Sequence, residues 1–149
     1  MGHEYEILQI TNLSEDMLID CYHVASMSRP AAAEEIAYTL QRNVNERGHI
    51  MFVVMKDMFL RGFISGHLMS NHGYAGEAEI DWLFVDVRYQ RRGIGDMLMR
   101  AWREYCREHG IGRIKVRPAP TVASKQFYAK QGFERQDIIY MVRNTIKVR

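Results

Sequence analysis

An α/β fold built on one mixed β-sheet, with helices covering both faces, is what the patterning of this chain predicts. Three observations carry that expectation. Residues 49–70 hold two apolar runs, HIMFVVMK and FLRGFISGHLMS, split by a tight turn at Asp57, which is the signature of a hairpin. Four segments with apolar residues at helical spacing are interleaved with the strand-like runs. A strand rich in large apolar residues (Ile80, Trp82, Leu83, Phe84, Val85) breaks into a short basic loop and continues as an amphipathic helix. The predicted order is β-α-α-β-β-β-α-β-α-β-β, in a single domain over residues 1–149.

In chain order, residues 5–11 read as a first strand. Ser14 is a good N-cap, with Glu15 and Asp16 in the first turn and Leu18, Cys21, Tyr22 and Ala25 on one face to about Met27. Pro30 suits a helix start, and Ile36, Leu40 and Val44 form a second stripe ending near Gly48. His49–Lys56 and residues 59–70 make the hairpin, with Asn71, His72 and Gly73 closing the next turn. Residues 77–87 form the fourth strand. The helix over residues 96–109 has Ile94, Leu98, Ala101 and Tyr105 on its buried side and Gly110 as its C-cap. Residues 111–117 are a fifth strand, with Ile114 and Val116 alternating with Arg113, Lys115 and Arg117, and Pro118 and Pro120 end it. Thr121 caps a short helix to Gln131, stopped by Gly132. From Phe133 through Ile138, Ile139, Tyr140, Met141 and Val142 a closing pair of strands is expected.

The chain of 149 residues is long enough for a core without disulfides or metal. Twenty basic and eighteen acidic residues leave a formal charge of +2, so net charge does not argue for a nucleic-acid partner. A basic nucleic-acid-binding α/β domain would rest only on the arginine clusters at residues 88–92, 113–117 and 143–149, and it predicts salt-sensitive binding. Cys21 and Cys106 form no C-x-x-C pair and no metal-ligand spacing; both read as packing residues of a protein in a reducing cytoplasm. No apolar run approaches ~18 residues, so no membrane span is expected. Residues Met1, Gly2 and His3 carry no secretory signal and have the look of a cloning remnant.

The loop Gln90-Arg91-Arg92-Gly93-Ile94-Gly95 stands before a helix, where unpaired backbone N–H groups and the helix dipole favour an anion. Gly93 and Gly95 lack a Cβ, so a phosphate could approach the backbone, and Arg91 and Arg92 supply cations. The physical reading is a pyrophosphate cradle. The dinucleotide fingerprint does not fit, because Leu98 stands where its third Gly belongs, and no P-loop run exists. The loop resembles the acyl-CoA-binding signature [QR]-x-x-G-x-[GA] of the GNAT superfamily of N-acetyltransferases, filled by Gln90, Gly93 and Gly95. The predicted element order is also that of the GNAT fold over essentially the whole chain. A second segment, Phe127-Tyr128-Ala129-Lys130-Gln131-Gly132-Phe133, is similar to the other GNAT signature, a short helix ending in Gly-Phe.

The resemblance implies acetyl-CoA as acyl donor, no metal, and direct attack of an amine without a covalent enzyme intermediate. It implies that main-chain groups of Leu83, Phe84 and Val85 pair with the pantetheine, and that a backbone N–H of Phe84 or Val85 stabilises the oxyanion. The pyrophosphate would sit on Gln90, Arg91, Arg92, Gly93, Ile94, Gly95 and Asp96, with Thr121, Ser124 and Lys130 as further contacts. Thr121 stands where the family often has Asn, which puts that amide contact in doubt. By position Tyr128 inherits protonation of the departing thiolate; a phenol near pKa ~10 can serve a thiol near ~8.5. Otherwise Phe127 and Tyr128 are an aromatic pair at the core edge, ~100° apart on the helix.

For the base, the fourth strand offers Glu79 and Asp81. Strict alternation would put them on one face with Leu83 and Val85, and Ile80, Trp82 and Phe84 on the other. Either carboxylate, or a water chain, could deprotonate the ammonium. His67, His72 and His109 read as ordinary strand, turn and helix-end residues.

The resemblance places the acceptor site at residues 28–33, 71–76 and 135–140, with Glu34, Glu35, Tyr74, Glu77 and Asp137 as an acidic and aromatic supply for a cationic amine. Polyamine, aminoglycoside-like, amino-acid and peptide amines all remain open, and the C-terminal strands would offer an edge for a homodimer. A catalytically silent acyl-CoA-binding regulatory module is the alternative function.

Overall fold

Eight consecutive residues, His49–Lys56, alternate their side chains across a strand buried on both faces, and the sheet is built outward from them. In a computed structural model, residues 4–69, 76–137 and 141–146 are described. The turn expected at Asn71, His72 and Gly73, together with Met1–His3, Tyr74, Ile138–Tyr140 and residues 147–149, lies outside the described residues.

The strands are β1 (Glu6–Gln9), β2 (His49–Lys56), β3 (Phe59–Met69), β4 (Glu77–Val85) and β5 (Arg113–Val116), and their order in space is their order in sequence. β1 to β4 are antiparallel neighbours, whereas β5 runs parallel to β4. A parallel pair needs a crossover, supplied here by helix α3 (Ile94–Glu108). Helices α1 (Glu15–Ser28) and α2 (Ala33–Asn43) separate β1 from β2. The mixed α/β sheet of the sequence reading is therefore the architecture. The chain divides into two compact units, residues 1–117 with the sheet and α1 to α3, and residues 118–149 with α4 (Val122–Lys130).

The two faces of the sheet can be told apart on β3. Phe63 belongs to a buried cluster with Cys21, Val24 and Ala25 of α1 and Ala33, Ile36 and Leu40 of α2. Its neighbour Gly62 points the other way, where a Cβ would stand 2.9 Å from Ile94 and 3.3 Å from Leu98 of α3. Successive strand residues face opposite sides, so α1 and α2 cover one face and α3 the other. Trp102, fully buried on α3, meets the same strand further along at Gly66.

Several local expectations are corrected. Pro30 does not start α2: the N–H of Ala32 donates to Arg29 O at 3.1 Å, so Pro30 occupies the second position of a tight turn, where its fixed φ is equally at home. The helix begins at Ala33 and ends at Asn43, short of Gly48. α3 starts at Ile94, and its buried stripe is Ile94, Leu98, Met99, Trp102 and Cys106, with Ala101 and Tyr105 only partly covered. The large Trp102 ring sets the helix rotation, turning the stripe one residue away from the smaller Ala101. β4 ends at Val85, and a single 3-10 turn, Val87–Tyr89, follows. Of the expected closing strands, Ile138–Tyr140 lie outside the described residues, and the flanking residues 133–137 and 141–146 carry no ladder.

Candidate active site

The site is shaped by one irregularity in the β3–β4 ladder. Ser65 pairs with Trp82, but Gly66 pairs with Ile80, leaving Asp81 as an extra residue on β4. Such a bulge resets the alternation. Glu79 lies opposite His67, Trp82 packs on the α1/α2 cluster, and Phe84 is a member of it. Leu83 and Val85 consequently take the opposite side from Glu79 and Asp81, correcting the face assigned by strict alternation. The glycine makes this possible: a Cβ on Gly66 would lie 2.0 Å from Glu79 O and 2.6 Å from the Trp102 ring.

His67 Nδ1 lies 2.9 Å from Asp81 Oδ2, and its Nε2 lies 3.7 Å from Glu79 Oε2. The other Glu79 oxygen is 4.0 Å from Arg117 Nε. Glu79 and Asp81, with Thr39 of α2, Ile80, Trp82 and Arg117, line a cavity of about 400 Å³. His67, read from sequence as an ordinary strand residue, is thus joined to both candidate bases. The missed signal was register: His67 and Glu79 are equidistant from residue 73, so a hairpin turning there sets them opposite. One donor atom from each of the three lies within 4.8 Å of the others.

Behind this set, His49 Nε2 lies 3.0 Å from Ser65 Oγ. Burial pushes the His49 pKa below the ordinary imidazole value, outweighing the nearby carboxylates of Asp81 and Glu46. Glu77, expected among the acceptor acids, is instead buried and bridged by Lys115 at 3.0 Å and Arg113 at 3.4 Å. It ties the start of β4 to β5. That pairing covers only Glu77–Ile80 against Arg113–Val116. β4 then continues through Leu83, Phe84 and Val85 with no β5 partner.

That open edge leads to the basic loop. Arg91 and Gly93 both adopt positive φ, 65° and 82°, and Gly93 is the N-cap of α3. The αL conformation costs an ordinary residue roughly 1–2 kcal/mol, and Gly93 escapes that cost. A Cβ there would meet nothing within 4 Å, so the space above it is open. No side chain caps α3, whose first turn holds Ile94, Gly95 and Asp96 and is entered through Arg91, Arg92 and Gly93. Gln90 and Arg91 are exposed, while Arg92 lies 4.9 Å from the Tyr89 ring centroid.

Between edge and loop stands Asp86, 1% exposed. Its carboxylate accepts from Arg88 N at 2.9 Å, Arg88 Nε at 3.0 Å and Arg88 Nη2 at 2.7 Å, with Arg61 at 3.7 Å. The Arg88 hydrogen bonds hold the Asp86 carboxyl below the usual aspartate pKa. A depressed folded pKa gives stability that is fully present above the unfolded value, ~3.9, and is lost as pH falls through the folded one. Asp86→Asn is expected to cost about 2 kcal/mol at pH 7. In urea melts the gap between variant and wild type should close as pH falls below about 4; a gap constant from pH 7 to pH 3 would show that the charge contributes nothing.

In the second unit, Thr121 Oγ1 accepts from Ser124 N at 3.2 Å, capping α4 as the sequence suggests. Ser124 Oγ in turn accepts from Ala119 N at 3.1 Å. Both hydroxyl protons stay available to another acceptor. Lys130 is exposed in the last turn. Tyr128 packs edge-on against Phe127 and Phe133, at centroid distances of 5.1 and 5.4 Å, and burial pushes its pKa up to about 12. The exposed Arg135 and Asp137 lie 4.0 Å from each other. Cys21 and Cys106 are buried free thiols. Burial raises both pKa values, that of Cys106 to about 11, so neither is an activated nucleophile.

Residues 13–133 match the acetyltransferase (GNAT) family. No curated protein matched the chain. Among solved structures, the aminoglycoside N-acetyltransferase AAC(6')-Iy in complex with CoA has a TM-score of 0.78 at 15% identity, covering 98% of this chain and 98% of that one. An aminoglycoside acetyltransferase from an uncultured soil metagenomic sample, in complex with sisomicin, has a TM-score of 0.70 at 20% identity, covering 96% and 97%. A transcriptional regulator from Bacillus halodurans has a TM-score of 0.77 at 14% identity, covering 95% and 100%. At these identities the likeness is one of fold.

Proposed function

The chain belongs to the acetyltransferase (GNAT) family, and from that premise we propose that it moves an acetyl group from acetyl-CoA to a primary amine by direct attack. The observation that carries this reading is the β4 edge. It loses β5 after Ile80 and runs, unpaired on that side, toward an uncapped helix start with Gly93 in the left-handed region. An extended pantetheine can add to such an edge as a strand would, through main-chain groups of Leu83, Phe84 and Val85. The N–H groups at the start of α3, with Gln90, Arg91, Arg92, Gly93, Ile94, Gly95 and Asp96, suit the pyrophosphate. Thr121, Ser124 and Lys130 are proposed as further contacts. A single domain over residues 1–149 is part of the proposal, supported by a family match that runs across both compact units.

Acetyl-CoA supplies the thioester acyl group. A backbone N–H of Phe84 or Val85 stabilises the oxyanion, and Tyr128 protonates the leaving thiolate. Its apolar surroundings keep the phenol neutral, the form that can donate. Glu79 and Asp81, two carboxylates lining the cavity, attract a cationic amine and remove its proton. The acceptor is a small-molecule amine, a reading supported by the aminoglycosides named with two of the similar structures. The buried free thiols suit a reducing cytoplasm.

Calorimetric titration with acetyl-CoA, CoA and ATP tests the cradle. Both CoA compounds are expected to bind on the order of micromolar, in the range of ordinary substrate affinities, with no heat from ATP. Thiol release is then scored with sisomicin, neamine and spermidine. Binding without release from any amine would favour a silent acyl-CoA-binding module; no binding would reduce the Gln90 to Gly95 loop to a turn.

A further inference from the structure

We propose that His67 is the proton exit of this active site: it takes from Glu79 the proton that Glu79 removes from the acceptor ammonium, and Asp81 stabilises the imidazolium that results. The inference rests on the acetyltransfer reading above and adds a residue to it. Glu79 and Asp81 line the cavity, whereas His67 stands on the neighbouring strand, opposite Glu79 in the ladder. Its two nitrogens are not equivalent. Nδ1, at 2.9 Å from Asp81 Oδ2, is within hydrogen-bond distance, while Nε2, at 3.7 Å from Glu79 Oε2, is just beyond it. An ionised Asp81 can only accept, so it fixes the proton on Nδ1 and leaves the lone pair on Nε2, toward Glu79. This is the arrangement in which a carboxylate holds an imidazole ready to become positive.

Glu79 needs such a neighbour. A carboxylate is a weak base toward an ammonium, and a proton left on Glu79 would remove the charge that attracts the next acceptor. Imidazole is the side chain that titrates nearest neutral pH, and His67 is 43% exposed, so it can release a proton to water. The charged and titratable groups around it are Glu79 and Asp81 on β4 and His49, its ladder partner, on β2. Behind these stand Glu46, which acts on His49, and Arg117, which faces Glu79. Protons balance as follows. The ammonium N–H bond breaks, and that proton passes through Glu79 to Nε2 and then to water. The amine lone pair forms the C–N bond as the C–S bond breaks. The thiolate takes the Tyr128 proton, and the second proton shed by the nitrogen restores the phenol. One proton in all reaches solvent.

Two measurements test this. The first is long-range ¹H–¹⁵N NMR of the histidine rings, with His67→Asn to assign the signal. The Nδ1–H tautomer is expected for the neutral ring of His67, and Asp81→Asn should abolish its preference. An Nε2–H tautomer in the wild type would overturn the proposal. The second is the pH dependence of kcat/KM for acetyl transfer to sisomicin, neamine or spermidine. His67→Asn keeps a side-chain N–H for Asp81 but cannot take a proton, and it is expected to lower kcat/KM about 10²-fold. The limb that His67 contributes to the wild-type pH profile should vanish, with the KM for acetyl-CoA unchanged. A variant that keeps both the limb and the rate removes His67 from the chemistry. A wild type that binds no acetyl-CoA sinks the acetyltransfer reading instead, and the tautomer still decides whether Asp81 holds the ring as described.

Discussion

Tyr128→Phe is expected to lower turnover by about 10²-fold or more, the usual loss when a positioned general acid is removed, while leaving acetyl-CoA affinity within about threefold. The substitution deletes one oxygen and preserves the ring that packs against Phe127 and Phe133, so stability should move by less than about 1 kcal/mol. The raised pKa of about 12 comes from burial, and the same apolar surroundings would make a departing thiolate more basic. Acid and leaving group are thereby pushed in the same direction, which keeps proton transfer feasible despite the weak acidity of the phenol. Steady-state kinetics paired with calorimetry make the comparison. Turnover equal to wild type would return Tyr128 to a packing role.

Gly66→Ala is expected to be the most damaging change of a single methyl group in the sheet. The new Cβ would meet the Glu79 carbonyl at 2.0 Å and the Trp102 ring at 2.6 Å. One obstacle is backbone and the other a fully buried side chain, so neither can swing aside cheaply. A cost of about 3 kcal/mol is expected from overpacking, read as a lower urea midpoint with an unchanged slope. Because the strain falls on the bulge, the amine KM should rise more than the acetyl-CoA KM. Gly112→Ala is the control: a Cβ there meets nothing within 4 Å, and its stability should hold within about 0.5 kcal/mol. Equal stability of the two variants would mean that β4 relaxes away from Gly66 and that the bulge is not held by it.

Much of the fold was legible because its signals are short-range. Ser14 and Thr121 cap the helices assigned to them, since an N-cap oxygen needs only N–H groups two or three residues away. His49–Lys56 is a strand because an eight-residue apolar run bounded by turn signals suits a buried strand. Gly93 takes a positive φ at the entry to α3, a feature of one residue and its neighbours. Motif and element order were enough to indicate a family of acetyltransferases.

Tertiary structure alone decided how the chemical groups meet. Leu83 and Val85 are parted from Glu79 and Asp81 by a bulge that strict alternation does not contain, at the point where Gly66 lets a carbonyl and the Trp102 ring approach. His67 joins them from another strand, twelve residues before Glu79, through a ladder register that depends on where the intervening turn is centred. Glu77 has the same charge as Glu79 and lies two residues away, yet β5 neutralises it with Lys115 and Arg113. A side chain's type and its local conformation are written in the sequence around it. Its partner is chosen by which distant segment pairs beside it, and a one-residue slip in that pairing would turn every side chain of the strand to the other face.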